Sequence, residues 1–167
     1  MNFHRPVAVS VIVTLSLGAG GGTLAGDVDV TGTWKLLSSV RKVVATGETS
    51  NSYGDRPTGW LTYGPEGRMT FIAVYNGRPR PESIAKTTDE ERIKLYNSML
   101  AYSGTYSVSG SIVTHQTDTS WNEIWTGSSQ IRDVERRGDR LVLTTRPAPF
   151  SGDGRESVVT LTFEKVK

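Results

Sequence analysis

The chain is 167 residues long, 36% hydrophobic and 22% charged, with 18 glycines and no cysteine. A net charge of +2 makes no basic surface, so nucleic acid is not expected as a partner, and the missing cysteines exclude a disulfide framework, an iron–sulfur cluster and a thiolate zinc site. The 17 valines and 20 threonines outweigh 8 alanines and 11 leucines, which favours pleated, half-buried strands in a single domain long enough to bury a core.

Met1 to Arg5 carries one certain positive charge, Val7–Leu17 is an apolar run, and small residues lead to Thr23-Leu24-Ala25. That order predicts a secretory signal peptide over residues 1–25, cleaved after Ala25, and one domain over residues 26–167. The apolar run would rise roughly 16 Å as a helix, about half of the ~30 Å hydrocarbon layer, so no stable membrane insertion is expected. The expected location is secreted or periplasmic.

Thr33–Val44 reads as the first strand, following a turn at Gly32, and Ala45–Pro57 as a polar loop. Gly59–Tyr63 and Arg68–Tyr75 read as strands around the turn sequence Gly64-Pro65-Glu66-Gly67. Asn76–Ser83, with two prolines, interrupts any ladder. The period then changes over residues 88–102. Thr88 and Glu91 form a capping box, and Leu95, Met99 and Tyr102 recur at helical spacing, which predicts one helix. Thr105–Val108, Ile112–Thr119, Ile124–Arg136, Arg140–Thr145 and Ser157–Val166 follow as strands. Short strands and one helix predict an all-β domain, a closed antiparallel barrel or a sandwich.

Two-residue turns set which side chains share a face. A turn at Pro65-Glu66 puts Trp60 opposite Phe71 and Thr62 opposite Met69. A turn at Ser109-Gly110 puts Tyr106 opposite Val113, with His115 on the same face. A turn at Gly138-Asp139 pairs Arg136 with Leu141, Val134 with Leu143 and Arg132 with Thr145, so Arg132 turns inward with its apolar neighbours.

The chain has no G-x-S-x-G, H-E-x-x-H or G-x-x-x-x-G-K-[ST] motif. Asp27-Val-Asp29-Val-Thr31-Gly32 imitates half of an EF-hand loop, but Ser38 stands where the bidentate glutamate belongs. His115 is the one histidine of residues 26–167, so a multi-histidine metal site is impossible; no metal and no cofactor are expected. An inward His115 could hold a polar ligand head or act as a general acid or base, or it could be a core histidine satisfied by a hydroxyl. Arg132 could hold a ligand carboxylate, pair with Asp118 or Asp133, or lie in solvent if the register slips by one residue. Trp60, Trp121, Trp125, Tyr102 and Tyr106 could line a pocket or simply pack. Arg136-Arg137-Gly138-Asp139-Arg140 reads as a solvated hairpin tip.

Gly32-Thr33-Trp34-Lys35-Leu36 resembles the opening strand of calycins, the superfamily of lipocalins and fatty-acid-binding proteins. Gly59–Tyr63, Glu66–Met69, Ala101–Tyr106, His115, Gln130-x-Arg132 and Gly138–Thr144 more specifically resemble the bacterial and fungal lipocalin-like domain family, in order from Gly32 to about Thr162. The resemblance implies a single up-and-down antiparallel β-barrel, with one short helix between strands, around a small-molecule cavity. The chain departs from lipocalins in lacking cysteine, and from fatty-acid-binding proteins in placing its helix after the third strand. The expected ligand is a small apolar or amphipathic molecule, with Trp60, Met69, Phe71, Tyr102, Tyr106, His115, Trp121 and Arg132 as its candidate contacts. An isomerase or cyclase using His115, and a barrel filled by its own side chains, are the alternatives.

Overall fold

A computed structural model describes residues 26–167, so the predicted signal peptide lies outside the described residues. Ten strands form in chain order: β1 (Gly32–Val43), β2 (Thr49–Asn51), β3 (Thr58–Tyr63), β4 (Arg68–Val74), β5 (Met99–Ser109), β6 (Ile112–Ser120), β7 (Ser129–Arg137), β8 (Arg140–Thr145), β9 (Ala148–Pro149) and β10 (Glu156–Lys165). Helix α1 (Asp89–Asn97) sits between β4 and β5, and a 3-10 turn (Glu123–Trp125) sits between β6 and β7. The long strands pair antiparallel in the order β1-β3-β4-β5-β6-β7-β8-β10, and β10 returns to β1, which closes an eight-stranded barrel. Closure leaves no long unpaired edge; β2 and β9 are short additions beside β1 and β10.

Alternation of apolar and polar residues accounts for the inward faces. In β3 and β4 every second side chain is buried, with Leu61, Tyr63, Met69, Phe71 and Ala73 inside. The predicted helix is confirmed in place and cap: the Thr88 hydroxyl accepts from the Glu91 amide at 3.2 Å, and the Glu91 carboxylate accepts from the Thr88 amide at 2.9 Å. Its predicted length is not. Met99 pairs with Val74 and Tyr102 with Phe71, so the segment after Ser98 is strand, and α1 itself buries no side chain. Leu100 and Tyr102 face inward two residues apart, a spacing that the helical reading had absorbed into its stripe. Two short strands were also not expected: β2 lies within the predicted Ala45–Pro57 loop, and β9 lies between the last two predicted strands.

The hairpin turns decide the facing. Gly138-Asp139 is a two-residue turn with Gly138 at φ 59°, and the β7–β8 register matches expectation pair for pair. The β5–β6 turn lies at Gly110-Ser111, two units of pairing sum away from the predicted register; Tyr106 now faces His115 and still shares its side of the sheet. The β3–β4 turn is longer by one residue. Gly64 donates to Arg68, Gly67 donates to Gly64, and Gly67 takes φ 82° as the bulged residue. Trp60 therefore pairs with Ile72, and Leu61 takes the expected place opposite Phe71. This corrects Trp60, which is 42% exposed on the outer wall. A second bulge, between Leu36 and Ser38, reverses the parity of β1 and turns Arg41 inward while Val40 faces out.

The barrel has two unlike ends. The tight β3–β4, β5–β6 and β7–β8 turns gather at one end, together with the segment that precedes β1. There Val28 donates to the Gly110 carbonyl at 3.0 Å, and the Asp27 carboxylate accepts from the Gly110 amide at 2.7 Å. Trp34 is fully buried at this end and donates through Nε1 to the Val30 carbonyl at 2.7 Å. Arg136 and Lys165 each lie 5.4 Å from the Trp34 ring centroid, and Arg136 also bonds the Asp29 carboxylate at 2.7 Å. Arg136 is thus drawn off the solvated hairpin tip onto the tryptophan, while Arg137 remains in solvent. The long connections gather at the other end and form a mouth.

Candidate functional site

The mouth half of the barrel encloses a cavity of about 490 Å³, inside the usual range for small-molecule sites. Seven aromatic rings line it. Trp121 and Trp125 meet edge to face at 5.2 Å, Tyr96 of α1 approaches Trp121 at 6.4 Å, and Tyr53 meets Tyr75 at 5.0 Å. Phe71 forms part of the wall, and Phe150 reaches in from the loop between β9 and β10. The turn sequences explain this grouping. The connections carrying Tyr53, Tyr75, Tyr96, Trp121 and Trp125 all lie at the end opposite the tight hairpins.

Two straps hold the mouth elements. Arg78 donates from Nε to the Ser98 hydroxyl and from its terminal nitrogen to the Leu95 carbonyl, each at 3.0 Å, which ties the last turn of α1 to the preceding loop. Arg41, buried by the β1 bulge, donates two bonds to the Asp153 carboxylate at 2.7 and 2.9 Å and lies 4.1 Å from the Phe150 ring centroid. Bonds from Arg41 and Arg155 hold the Asp153 carboxyl well below the usual carboxylate range, so the loop carries a charged clasp.

Arg132 behaves differently from Arg41, the other buried arginine. It lies on the inward face of β7, 8% exposed, and forms part of the cavity wall. Its bonds go to the Ile131 carbonyl at 2.9 Å and to Gln130 Oε1 at 3.2 Å, and the Tyr102 hydroxyl lies within its reach, all neutral acceptors. The two acids considered as partners are engaged elsewhere: Asp118 by Arg68, and Asp133 by Arg146 at 2.8 Å. Among the described residues no carboxylate pairs with Arg132. Tyrosinate cannot compensate it either, because burial raises the Tyr53, Tyr63 and Tyr102 phenols above their ordinary range.

His115 is 1% exposed and lies outside the cavity wall. Its Nε2 is 2.6 Å from the Tyr63 hydroxyl and its Nδ1 is 2.8 Å from the Tyr102 hydroxyl. A neutral imidazole satisfies both, donating from one nitrogen and accepting at the other. Burial, assisted by the Arg132 charge, pushes its pKa down to about 3, so the ring is neutral at physiological pH. With both nitrogens occupied and the ring outside the cavity lining, the arrangement is that of a core histidine satisfied by hydroxyls.

Of the eight residues singled out from the sequence, Phe71, Trp121 and Arg132 line the cavity. Met69, Tyr102 and His115 are buried in the barrel interior outside its lining. Tyr106 is half-buried and donates to the Gly64 carbonyl at 2.9 Å, toward the closed end. Trp60 faces outward. Sequence reasoning missed Tyr53, Tyr75, Tyr96 and Phe150 as wall residues. Tyr53 and Phe150 are the aromatic residues of otherwise polar or proline-containing connections, which were read for their turn chemistry alone, while Tyr75 was read as the end of a strand and Tyr96 as part of the helix.

Comparison with known proteins agrees with the architecture. Residues 31–166 match the family model described as a lipocalin-like domain. No curated protein matches the chain.

Proposed function

The chain belongs to the lipocalin-like domain family, and from that premise we propose that it is an exported protein that binds one small apolar or amphipathic molecule in the mouth half of its barrel. The observation that carries this reading is the aromatic cavity of about 490 Å³ above a filled, Trp34-sealed half. A structural module would be expected to fill both halves, and the volume weighs against that alternative. An isomerase or cyclase would need a proton-transfer group in reach of the cavity. His115, engaged on both nitrogens, does not favour it. Export rests on the charge, apolar run and small residues of positions 1–25.

Titration with a neutral apolar fluorophore, N-phenyl-1-naphthylamine, tests the binding reading. We expect saturable binding near one molecule per chain, with quenching of tryptophan emission. A titration with no saturable phase would overturn it. N-terminal sequencing of protein recovered from culture medium or periplasm is expected to begin at Gly26; a start at Met1 would remove the export assignment.

A further inference from the structure

We propose that the cavity selects a compact aromatic monocarboxylic acid, its carboxylate received by Arg132 beside Gln130 and its rings held among the aromatic walls. The inference rests on the small-molecule reading above and adds the chemistry of the ligand.

Charge supplies the first half. A guanidinium withdrawn from water without an anion is costly, and folded proteins rarely keep one without a counter-charge. The other buried arginine of this barrel follows that rule: Arg41 has Asp153. Arg132 has neutral acceptors alone, the Ile131 carbonyl, Gln130 and the neighbouring Tyr102 hydroxyl, so no anion meets its planar fork on the cavity wall. Gln130 is itself fixed, donating from Nε2 to the Ser128 hydroxyl at 3.0 Å, so Arg132 is held in place and not merely enclosed. A planar fork matches a carboxylate.

The number of charges narrows the class. Among the described residues Arg132 and Arg146 are the cationic residues of the wall, and Arg146 is already paired with Asp133. One uncompensated positive charge suits a monoanion; a phosphate dianion would bring a second negative charge with nothing to meet it.

The walls narrow it further. Tyr53, Phe71, Tyr75, Tyr96, Trp121 and Trp125 supply rings, several braced against one another at 5.0–6.4 Å. Such surfaces gain from offset and edge-on contacts with another ring beyond the area that they bury, which an alkyl chain does not offer. The volume of about 490 Å³ admits a fused two- or three-ring acid.

Calorimetry with 9-anthracenecarboxylate, 9-anthracenemethanol and decanoate, on wild type and Arg132→Met, tests the proposal. The aromatic acid is expected to bind wild type roughly thirtyfold more tightly than the alcohol, the low end for a buried charge pair, and to lose that advantage in Arg132→Met. It is also expected to bind more tightly than decanoate. Equal affinity for acid and alcohol in wild type overturns the anionic half, and decanoate binding more tightly overturns the aromatic half. N-phenyl-1-naphthylamine binding persists in either case if the cavity reading stands, so the two failures are distinguishable. Ligand-free Arg132→Met is expected to melt no lower than wild type, because the variant removes an uncompensated charge. A lower melting temperature would mean that the protein already satisfies Arg132, and would overturn the assignment.

Discussion

His115 carries a pH dependence whose sign follows from its burial. The folded pKa of about 3 lies below the ordinary 6.5, so the native protein refuses a proton that the unfolded chain accepts. Stability from this group is therefore complete above pH 6.5 and falls as pH drops through 6.5 toward 3, at up to about 1.4 kcal/mol per pH unit. By pH 5 the loss reaches about 2 kcal/mol. Asp29, Asp118 and Asp153 have lowered pKa values and act at more acid pH, which leaves the window from pH 7 to 5 to His115. Urea midpoints measured at pH 7, 6 and 5 should fall for wild type and stay nearly level for His115→Gln, which leaves residues 26–167 without a histidine. Parallel curves would show that His115 is not the titrating group.

At the scale of elements, single-residue irregularities explain both what the sequence disclosed and what it concealed. The β7–β8 hairpin was legible because Gly138-Asp139 forms the two-residue turn that its composition suggests, and Arg132 came inward with it. One additional residue at Gly67 was enough to send Trp60 outward and bring Leu61 and Tyr63 inside. The bulge after Leu36 likewise concealed Arg41, since strict alternation from Trp34 would have buried Val40 in its place. Bulges are set by cross-strand pairing, which local composition does not encode. The β5–β6 irregularity at Ser103/Gly104 is the most constrained, for a Cβ on Gly104 would lie 1.9 Å from the Gln116 carbonyl oxygen. Backbone would have to move, so Gly104→Ala should cost roughly 1–3 kcal/mol in chemical denaturation. A change within about 0.5 kcal/mol, as at an ordinary surface position, would show that the strands do not approach so closely there.

Across the whole molecule the two ends divide the work, and the division predicts opposite consequences for two tryptophans. Trp34 is fully buried in the same cluster as Leu141 and Phe163, its indole N–H is bonded, and two cations cover its ring. Truncation there opens a void in a close-packed region and strands the Val30 carbonyl, so Trp34→Ala should cost about 3–5 kcal/mol. That is a large share of the ~5–15 kcal/mol that a domain typically has. Trp121 is half-buried at the mouth, packs on Tyr96 and Trp125 at the rim of the core, and borders the cavity. Removing it loses fewer contacts, because the cavity already leaves one side of the ring without neighbours. Trp121→Ala should therefore cost roughly 1 kcal/mol while weakening binding of N-phenyl-1-naphthylamine. Denaturation midpoints and titrations on both variants separate the two roles: Trp34→Ala, measured where it remains folded, keeps the fluorophore affinity but lowers the midpoint strongly, and Trp121→Ala lowers the midpoint only slightly but loses fluorophore affinity. If Trp121→Ala lost as much stability as Trp34→Ala, the mouth would be core continuous with the sealed end, and a division of labour along the barrel axis would not describe this protein.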